Sequence, residues 1–142
     1  MLVFYIDDKL KKLTNKQRQL FKLANVYLSK LQKQNFIYDI NIVDNQKIKK
    51  LNNQYRHINK ITDVLSFAMH DAKQPKTELL GEIFINYQQA QKQATVSVDY
   101  EITLLFIHGV LHLLGYDHKN KTNENEMFLM QNKIIKQLNL VK

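Results

Sequence analysis

The chain has 142 residues, of which 44% are hydrophobic, and a formal net charge of +8 from 21 basic and 13 acidic side chains. A chain of this length buries roughly two-thirds of its unfolded surface, so it needs no disulfide framework to form a core. It contains no cysteine, which excludes disulfides, thiolate nucleophiles and thiolate metal ligands. No apolar run approaches the ~18 residues that span a bilayer, and no export signal precedes Asp7. We therefore expect residues 1–142 to form a single cytoplasmic domain without a membrane partner.

The positive charge is a first indication of function. Lysine supplies 19 of the 21 basic residues, and only Arg18 and Arg56 are arginines. An excess of this size favours polyanion partners, because each contacted phosphate releases counterions. The lysines are scattered without a dense basic run, however, and 14 asparagines accompany them, as in a surface shaped by coding bias and solubility. Charge alone leaves nucleic-acid binding and simple solubility equally open.

The first half of the chain predicts a strand, a helix, a second strand and a short helix. Leu2 to Ile6 is a short apolar run, and Thr14 is placed to cap a helix whose third position is Gln17. Residues 36–43 are rich in aromatic and β-branched residues, and a short helix follows from Asn45 to about Tyr55. The residues repeating at helical spacing on one face of the first helix are Leu20, Leu23, Ala24, Tyr27, Leu28 and Leu31. In the second strand, Asp39 and Asn41 face away from Tyr38, Ile40 and Ile42.

The second half predicts two strands separated by a polar loop, and then three helices. The strands are residues 64–67 and 79–85, with a loop over 70–77 that holds the only proline. Asn86 is placed to cap a short helix ending near residue 94, Asp99 to cap the next helix, and Thr122 to open the last. The helix after Asp99 is apolar on nearly every side, which is typical of a buried helix. Together the elements predict one α+β domain with a small mixed sheet packed against helices.

Two histidines interrupt the apolar surface of that buried helix. His108 and His112 are four residues apart, which places their imidazoles about 40° apart on one face and within reach of a common atom. His118 follows six residues later and would point to the far side of a continuous helix. Gly115 lies where the helix must end for His118 to converge with the other two. Gly109 costs the helix about 1 kcal/mol relative to alanine, which indicates that another element packs close to its backbone.

This arrangement predicts a three-histidine metal site. A lone histidine in an apolar helix is usually a hydrogen-bonded core residue, but three histidines at this spacing match zinc ligands with a fourth coordination position left open for catalysis. The spacing is also that of the metzincin proteases, HExxHxxGxxH, in which the glutamate is the general base. Here Gly109 replaces the glutamate, which argues against peptide hydrolysis. Asp117 is adjacent and is either a carboxylate that orients a ligand or a solvated residue.

The segment HGVLHLLGYDH, from His108 to His118, closely resembles the signature HGxLHLxGYDH of the YbeY family of metal-dependent endoribonucleases. The sequence TDVLSF at residues 62–67 matches a second family block, and Gly81-Glu82-Ile83 stands where the family commonly has GDI. Leu51-Asn52 and Tyr55-Arg56 add a further match, so that the resemblance covers most of the chain from residue 51 onward. Ile61 and Ala68 depart from the prolines that many relatives have, which affects local geometry.

The resemblance implies a zinc-dependent endoribonuclease that prefers single strands, with one Zn²⁺ or another divalent metal bound by His108, His112 and His118. It implies catalytic roles for Arg56, His108 and His112, and a zincin-like site on a central helix packed beneath a small sheet. The implied role is cytoplasmic maturation of the 3′ end of small-subunit ribosomal RNA and ribosome quality control, with RNA and the ribosome or its small subunit as partners. The oligomeric state is not implied.

Arg56 is the residue we expect to grip the substrate, because a planar guanidinium binds phosphate through two parallel hydrogen bonds. The alternative is a surface residue like Arg18. His57 and His70 are candidate proton shuttles but more typical of surface positions, and Tyr116 is a candidate for stacking on a base or for packing under the metal site. Asp63 and Ser66 are candidate supporting groups.

Two other functions remain open. One is a metallohydrolase of peptides or small molecules, and the other is a non-enzymatic RNA-binding or ribosome-binding protein that metal stabilises.

Overall fold

A computed structural model describes residues 2–6, 13–33, 37–68, 79–116 and 120–138. In this part of the chain, four strands and five helices form an α+β fold with a mixed sheet, which confirms the predicted fold class. The predicted loop over residues 70–77 lies outside the described residues. The elements are β1 (Leu2–Ile6), α1 (Asn15–Gln32), β2 (Ile37–Val43), α2 (Asn45–Arg56), β3 (Val64–Ala68), β4 (Leu79–Asn86), α3 (Tyr87–Gln93), α4 (Val98–Leu113) and α5 (Lys121–Gln137).

The sheet has the strand order β1-β2-β4-β3. β1 and β2 are parallel, as are β2 and β4, whereas β3 is antiparallel to β4. One face of β2 is fully buried and carries Tyr38, Ile40 and Ile42, whereas the residues between them, on the other face, are half-buried. The predicted alternation along this strand is therefore confirmed.

Helix α1 begins with the predicted capping box. The Thr14 hydroxyl accepts from the Gln17 backbone N–H at 3.0 Å, and the Thr14 N–H donates to Gln17 Oε1 at 3.0 Å. The buried face is narrower than predicted, because Leu23 and Leu31 are 42% and 36% exposed. Phe21 takes part in the core instead and stacks on Phe106 of α4 with ring centroids 4.6 Å apart.

Helix α4 is the buried helix that the sequence predicts, but it begins earlier than expected. Ser97 is its N-cap, accepting from the Tyr100 N–H at 3.0 Å, so the prediction that Asp99 caps it is wrong. Asp99 lies in the first turn, where a carboxylate faces the positive end of the helix dipole, and accepts from Gln17 Nε2 at 2.9 Å. Within the described ranges, no helix has both the length and the apolar character that crossing a bilayer requires.

The last helix, α5, also begins earlier than predicted. Asn120 caps it by accepting from the Asn123 N–H at 2.9 Å, which places Thr122 inside the first turn rather than at the start. Its buried residues Met127, Ile134 and Ile135 pack into the core beside α4.

The two faces of the sheet carry cores of different size. Ile40, Ile83 and Ile85 belong to a large cluster, here called the main core, which is formed with α1, α4 and α5. On the opposite face α2 covers a second cluster, here called the small core, with the half-buried Phe67 and Phe84 packed against it. The buried residues of the small core are Val43, Ile48, Leu51 and Leu65. The predicted metal helix thus lies on the heavily packed face.

Candidate metal and RNA site

The two histidines of α4 converge on one point. His108 and His112 are half-buried, and their Nε2 atoms lie 3.0 Å apart. Their rings meet edge to face, with centroids separated by 4.6 Å. The predicted spacing therefore places two imidazole nitrogens where both reach a common atom.

A glutamine from α5 orients the first of these histidines. Gln131 is 5% exposed, and its Oε1 lies 2.7 Å from His108 Nδ1. An amide oxygen only accepts hydrogen bonds, so this contact favours the tautomer of His108 with its proton on Nδ1, which leaves the Nε2 lone pair for a metal. Sequence reasoning missed Gln131, although a polar residue in line with Met127 and Ile134 on the buried stripe of α5 is a usable signal.

The chain turns immediately after His112, as the three-histidine prediction requires. α4 ends at Leu113, and Gly115 has a φ of 103°, a conformation that favours glycine. The Gly115 N–H donates to the His112 carbonyl at 3.1 Å, and the Tyr116 N–H to the Leu111 carbonyl at 3.0 Å. His118 and Asp117 lie outside the described residues, and so does His70. Within those residues, no three His, Cys, Asp or Glu side chains form a metal-binding group.

Both histidines line a cleft of about 390 Å³ at the β3 edge of the sheet. The lining residues are Arg56 at the end of α2, Thr62 and Asp63 before β3, Val64, Ser66 and Ala68 on β3, and His108, His112 and Leu113 on α4. The cleft thus brings the family-matched arginine and two of the three predicted metal ligands together. His57 does not line it. His57 is the exposed residue that ends α2, in a left-handed conformation with a φ of 59°.

Arg56 reaches the cleft from the opposite face of the sheet. It is the last residue of α2, which packs on the small core, and it is exposed. Among the residues that the structure describes, it has no ion-pair partner. A guanidinium in this state keeps its five N–H donors available for an anion in the cleft.

Gly109 allows α4 to lie close enough to the sheet for its histidines to line the cleft. A Cβ at this position would lie 2.8 Å from Ile83 Cγ2 and 3.1 Å from Ser66 Oγ. Ser66 also donates from its hydroxyl to the Gly109 carbonyl at 3.1 Å, which ties α4 to β3. The expectation of a close neighbour at Gly109 is confirmed, and Ser66 supports the helix that carries both histidines.

Asp63 is held in place at the edge of the cleft. Gln93 Nε2 donates to Asp63 Oδ2 at 3.0 Å and to Glu101 Oε2 at 2.8 Å, which links the loop before β3 to α3 and α4.

Tyr116 is half-buried and packs against the main core. For Tyr116, the contacts favour the packing role over stacking on a base.

Comparison with known proteins places the chain among nucleases. The family model described as Endoribonuclease YbeY matches residues 5–139. An Endoribonuclease YbeY of Oenococcus oeni is 38% identical over 99% of this chain and 98% of its own length. Another of Acholeplasma laidlawii is 46% identical over 69% of this chain and 72% of its own. The solution structure of a Thermotoga maritima protein matches 97% of this chain and 89% of that one, with 26% identity and a TM-score of 0.67.

Proposed function

The chain belongs to the YbeY endoribonuclease family, and from this premise we propose that it cleaves single-stranded RNA with a divalent metal bound by His108, His112 and His118. The observation that carries the proposal is the 3.0 Å approach of the His108 and His112 Nε2 atoms inside a cleft that Arg56 also lines. This arrangement combines two imidazole ligands with a guanidinium suited to phosphate.

The donor set fits zinc. Two imidazoles converge, one in contact with Gln131, and α4 ends before Gly115, which precedes the third histidine in sequence. Without cysteine the site is limited to nitrogen and oxygen ligands, and three histidines leave one coordination position open. Imidazole sites also accept other divalent transition metals. When bound, the metal supplies Lewis-acid chemistry that activates water or polarises a phosphoryl oxygen.

The residues of the chain provide the positioning. Arg56 binds the scissile phosphate and stabilises the negative charge that develops on it during hydrolysis. Gln131 keeps a proton on His108 Nδ1 and so keeps Nε2 available as a ligand. Ser66 and Gly109 hold α4 against β3, which fixes the distance between the histidines and the phosphate-binding side of the cleft.

The cellular role we propose is maturation of the 3′ end of small-subunit ribosomal RNA and ribosome quality control, in the cytoplasm, with the ribosome or its small subunit as partner. The family match and the net charge of +8 support an RNA substrate.

Metal analysis and RNA cleavage test the proposal with three variants. The wild type is expected to bind about one metal ion per chain and to cleave a single-stranded RNA. His112→Ala removes a ligand, so metal content and cleavage should both be lost. Arg56→Ala should retain the metal but lower kcat/KM by about 10²- to 10³-fold, since one donor to the developing charge is gone. Arg18→Ala, which removes the other arginine, is the matched control and should cleave at the wild-type rate.

Equal cleavage by all four proteins would identify a contaminating nuclease and contradict the proposal. Metal binding without any cleavage would indicate a metal-stabilised binding protein, and cleavage of peptides instead of RNA would indicate a different hydrolase. Loss in the histidine variant alone would remove Arg56 from the mechanism.

Gln131→Leu tests the positioning of His108 without touching the metal or the RNA. Zinc affinity, measured by competition with a chromophoric chelator, should fall by about 10- to 100-fold, and raised zinc should restore cleavage. Asn132→Leu changes the exposed neighbouring residue of α5 and should leave the affinity unchanged. An unchanged affinity in Gln131→Leu would mean that Gln131 does not orient the ligand.

A further inference from the structure

Helix α2 and the loop that follows it form a strongly basic stretch. Residues 45–62 contain five cationic side chains and no aspartate or glutamate, which gives this stretch a local net charge of +5. All five cations are exposed. They are Lys47, Lys49, Lys50, Arg56 and Lys60. An unneutralised cluster of this kind attracts polyanions.

The same stretch exposes large apolar side chains. Tyr55 is 59% exposed, Ile58 44% and Ile61 46%. Tyr55 directly precedes Arg56, and the two isoleucines follow it within five residues. Exposed apolar side chains grouped in this way are typical of a surface that binds a ligand. A ligand that is both polyanionic and apolar matches both properties of the surface.

The Tyr55 ring is fixed in place from below. It contacts the ring of Phe67 with centroids 5.1 Å apart and an interplanar angle of 56°, and Phe67 in turn meets Phe84 edge to face at 5.7 Å. Phe67 lies on β3 between Ser66 and Ala68, both of which line the cleft. Tyr55 therefore presents an exposed aromatic ring beside Arg56, across the edge strand from the histidines.

We propose that Tyr55 is a stacking platform for a base of single-stranded RNA next to the phosphate that Arg56 binds, with the lysines of α2 contacting the adjoining backbone. This inference rests on the proposed function and adds a base-binding subsite to it. Proteins that bind single strands combine a basic surface with aromatic side chains, because every base has an apolar face. Bases inside a duplex have no free face, so the subsite selects for unpaired RNA.

The chain contains no tryptophan, so Tyr55→Trp introduces a single fluorescent reporter at the proposed platform. We expect a single-stranded 2′-O-methyl oligonucleotide, which resists cleavage, to quench this fluorescence on binding to the metal-loaded protein. A fully paired hairpin should not quench it. Phe128→Trp, at a 42% exposed position of α5, is the control and should show no quenching with either.

Binding affinity provides a second measurement. Tyr55→Leu keeps an apolar contact to Phe67 but removes the aromatic face, and should weaken oligonucleotide binding by about 5- to 100-fold in fluorescence anisotropy. Tyr55→Phe keeps the ring and should bind as tightly as the wild type. Circular dichroism verifies that each variant is folded.

Oligonucleotide binding without quenching of the Tyr55→Trp reporter would overturn the inference, while intact RNA cleavage would leave the proposed function in place. Quenching or a blue shift with vesicles containing 30% phosphatidylserine, but not with the oligonucleotide, would also overturn it and assign the surface to a membrane. Failure of the wild type to bind or cleave single-stranded RNA would refute the proposed function itself.

Discussion

The two faces of the sheet differ in how heavily they are packed and in what they contribute to the cleft. The main core on one face holds α4, which carries His108 and His112. The small core on the other face holds α2, which ends at Arg56 and exposes Tyr55. The two histidines, which must be positioned precisely to share a metal, thus lie on a heavily packed helix. Arg56 and Tyr55, which are proposed to contact a flexible RNA chain, lie on a lightly packed one.

The largest expected difference between the faces is the cost of a cavity. Ile107 in the main core and Ile48 in the small core are both 0% exposed, so they form a matched pair. Ile107→Ala should lower the free energy of unfolding by about 4 kcal/mol and Ile48→Ala by about 2 kcal/mol, because the small core collapses more easily around a cavity. Urea denaturation measures both. Equal losses would show that the two cores are equally rigid and would contradict the difference in packing inferred here.

A smaller effect is expected at the contact between α4 and the sheet. Gly109→Ala places a methyl group 2.8 Å from Ile83 Cγ2, and should cost about 2 kcal/mol and reduce RNA cleavage by shifting the histidines. Gly115→Ala is the control: its methyl group meets nothing within 4 Å, and only the positive φ of 103° should cost it about 1 kcal/mol. Thermal unfolding compares the two variants, and the cleavage assay is applied to Gly109→Ala, because Gly115 lies in the turn between His112 and His118 in sequence. If Gly109→Ala were as stable as the wild type, the close approach at this point would not constrain the helix.

The smallest effect concerns Tyr38, a buried tyrosine of the main core whose hydroxyl donates to Asn25 Oδ1. Tyr38→Phe should cost about 1 kcal/mol at pH 7, since Asn25 loses its donor. Burial raises the pKa of Tyr38 far above its ordinary value, so above pH ~10 the unfolded chain releases a proton that the folded protein retains.

The buried, protonated Tyr38 therefore stabilises the wild type fully below pH ~10, and this stabilisation declines as the pH rises further. The difference between wild type and Tyr38→Phe should therefore shrink between pH 9 and pH 11 in urea denaturation. Tyr55→Phe, on the lightly packed face, should stay within about 0.5 kcal/mol of the wild type at pH 7. A constant difference for Tyr38→Phe across this range would contradict the assigned cause.

The sequence predicts elements best where one physical signal dominates. The apolar surface of α4 and the alternation of β2 indicate buried elements, and both are observed. Helix starts are harder, because several residues near each start are able to cap. Ser97 caps α4 although Asp99 is also a favourable cap, because Asp99 is bonded to Gln17 and paired with Lys16. These partners are distant in sequence, so local patterns do not reveal them.

In the site, too, features set by local spacing are predictable from the sequence, whereas contacts between distant residues are not. The histidine spacing predicts that His108 and His112 converge, since both lie on one helix, and their Nε2 atoms meet. The contact of Gln131 with His108 joins residues 23 positions apart on different helices, so no local spacing encodes it. That Arg56 reaches the cleft depends on how α2 crosses the edge of the sheet, which only the fold determines. The role of His118 stays a prediction.

The packing around Gly109 also bears on how this chain could evolve or be redesigned. Metzincin proteases carry their general base at the corresponding position, and a single codon change from glycine to glutamate is the simplest conversion. In this protein, the space that such a side chain needs is occupied by Ile83 and Ser66. A change of reaction from RNA to peptide hydrolysis would therefore require the sheet beneath the helix to be rebuilt at the same time.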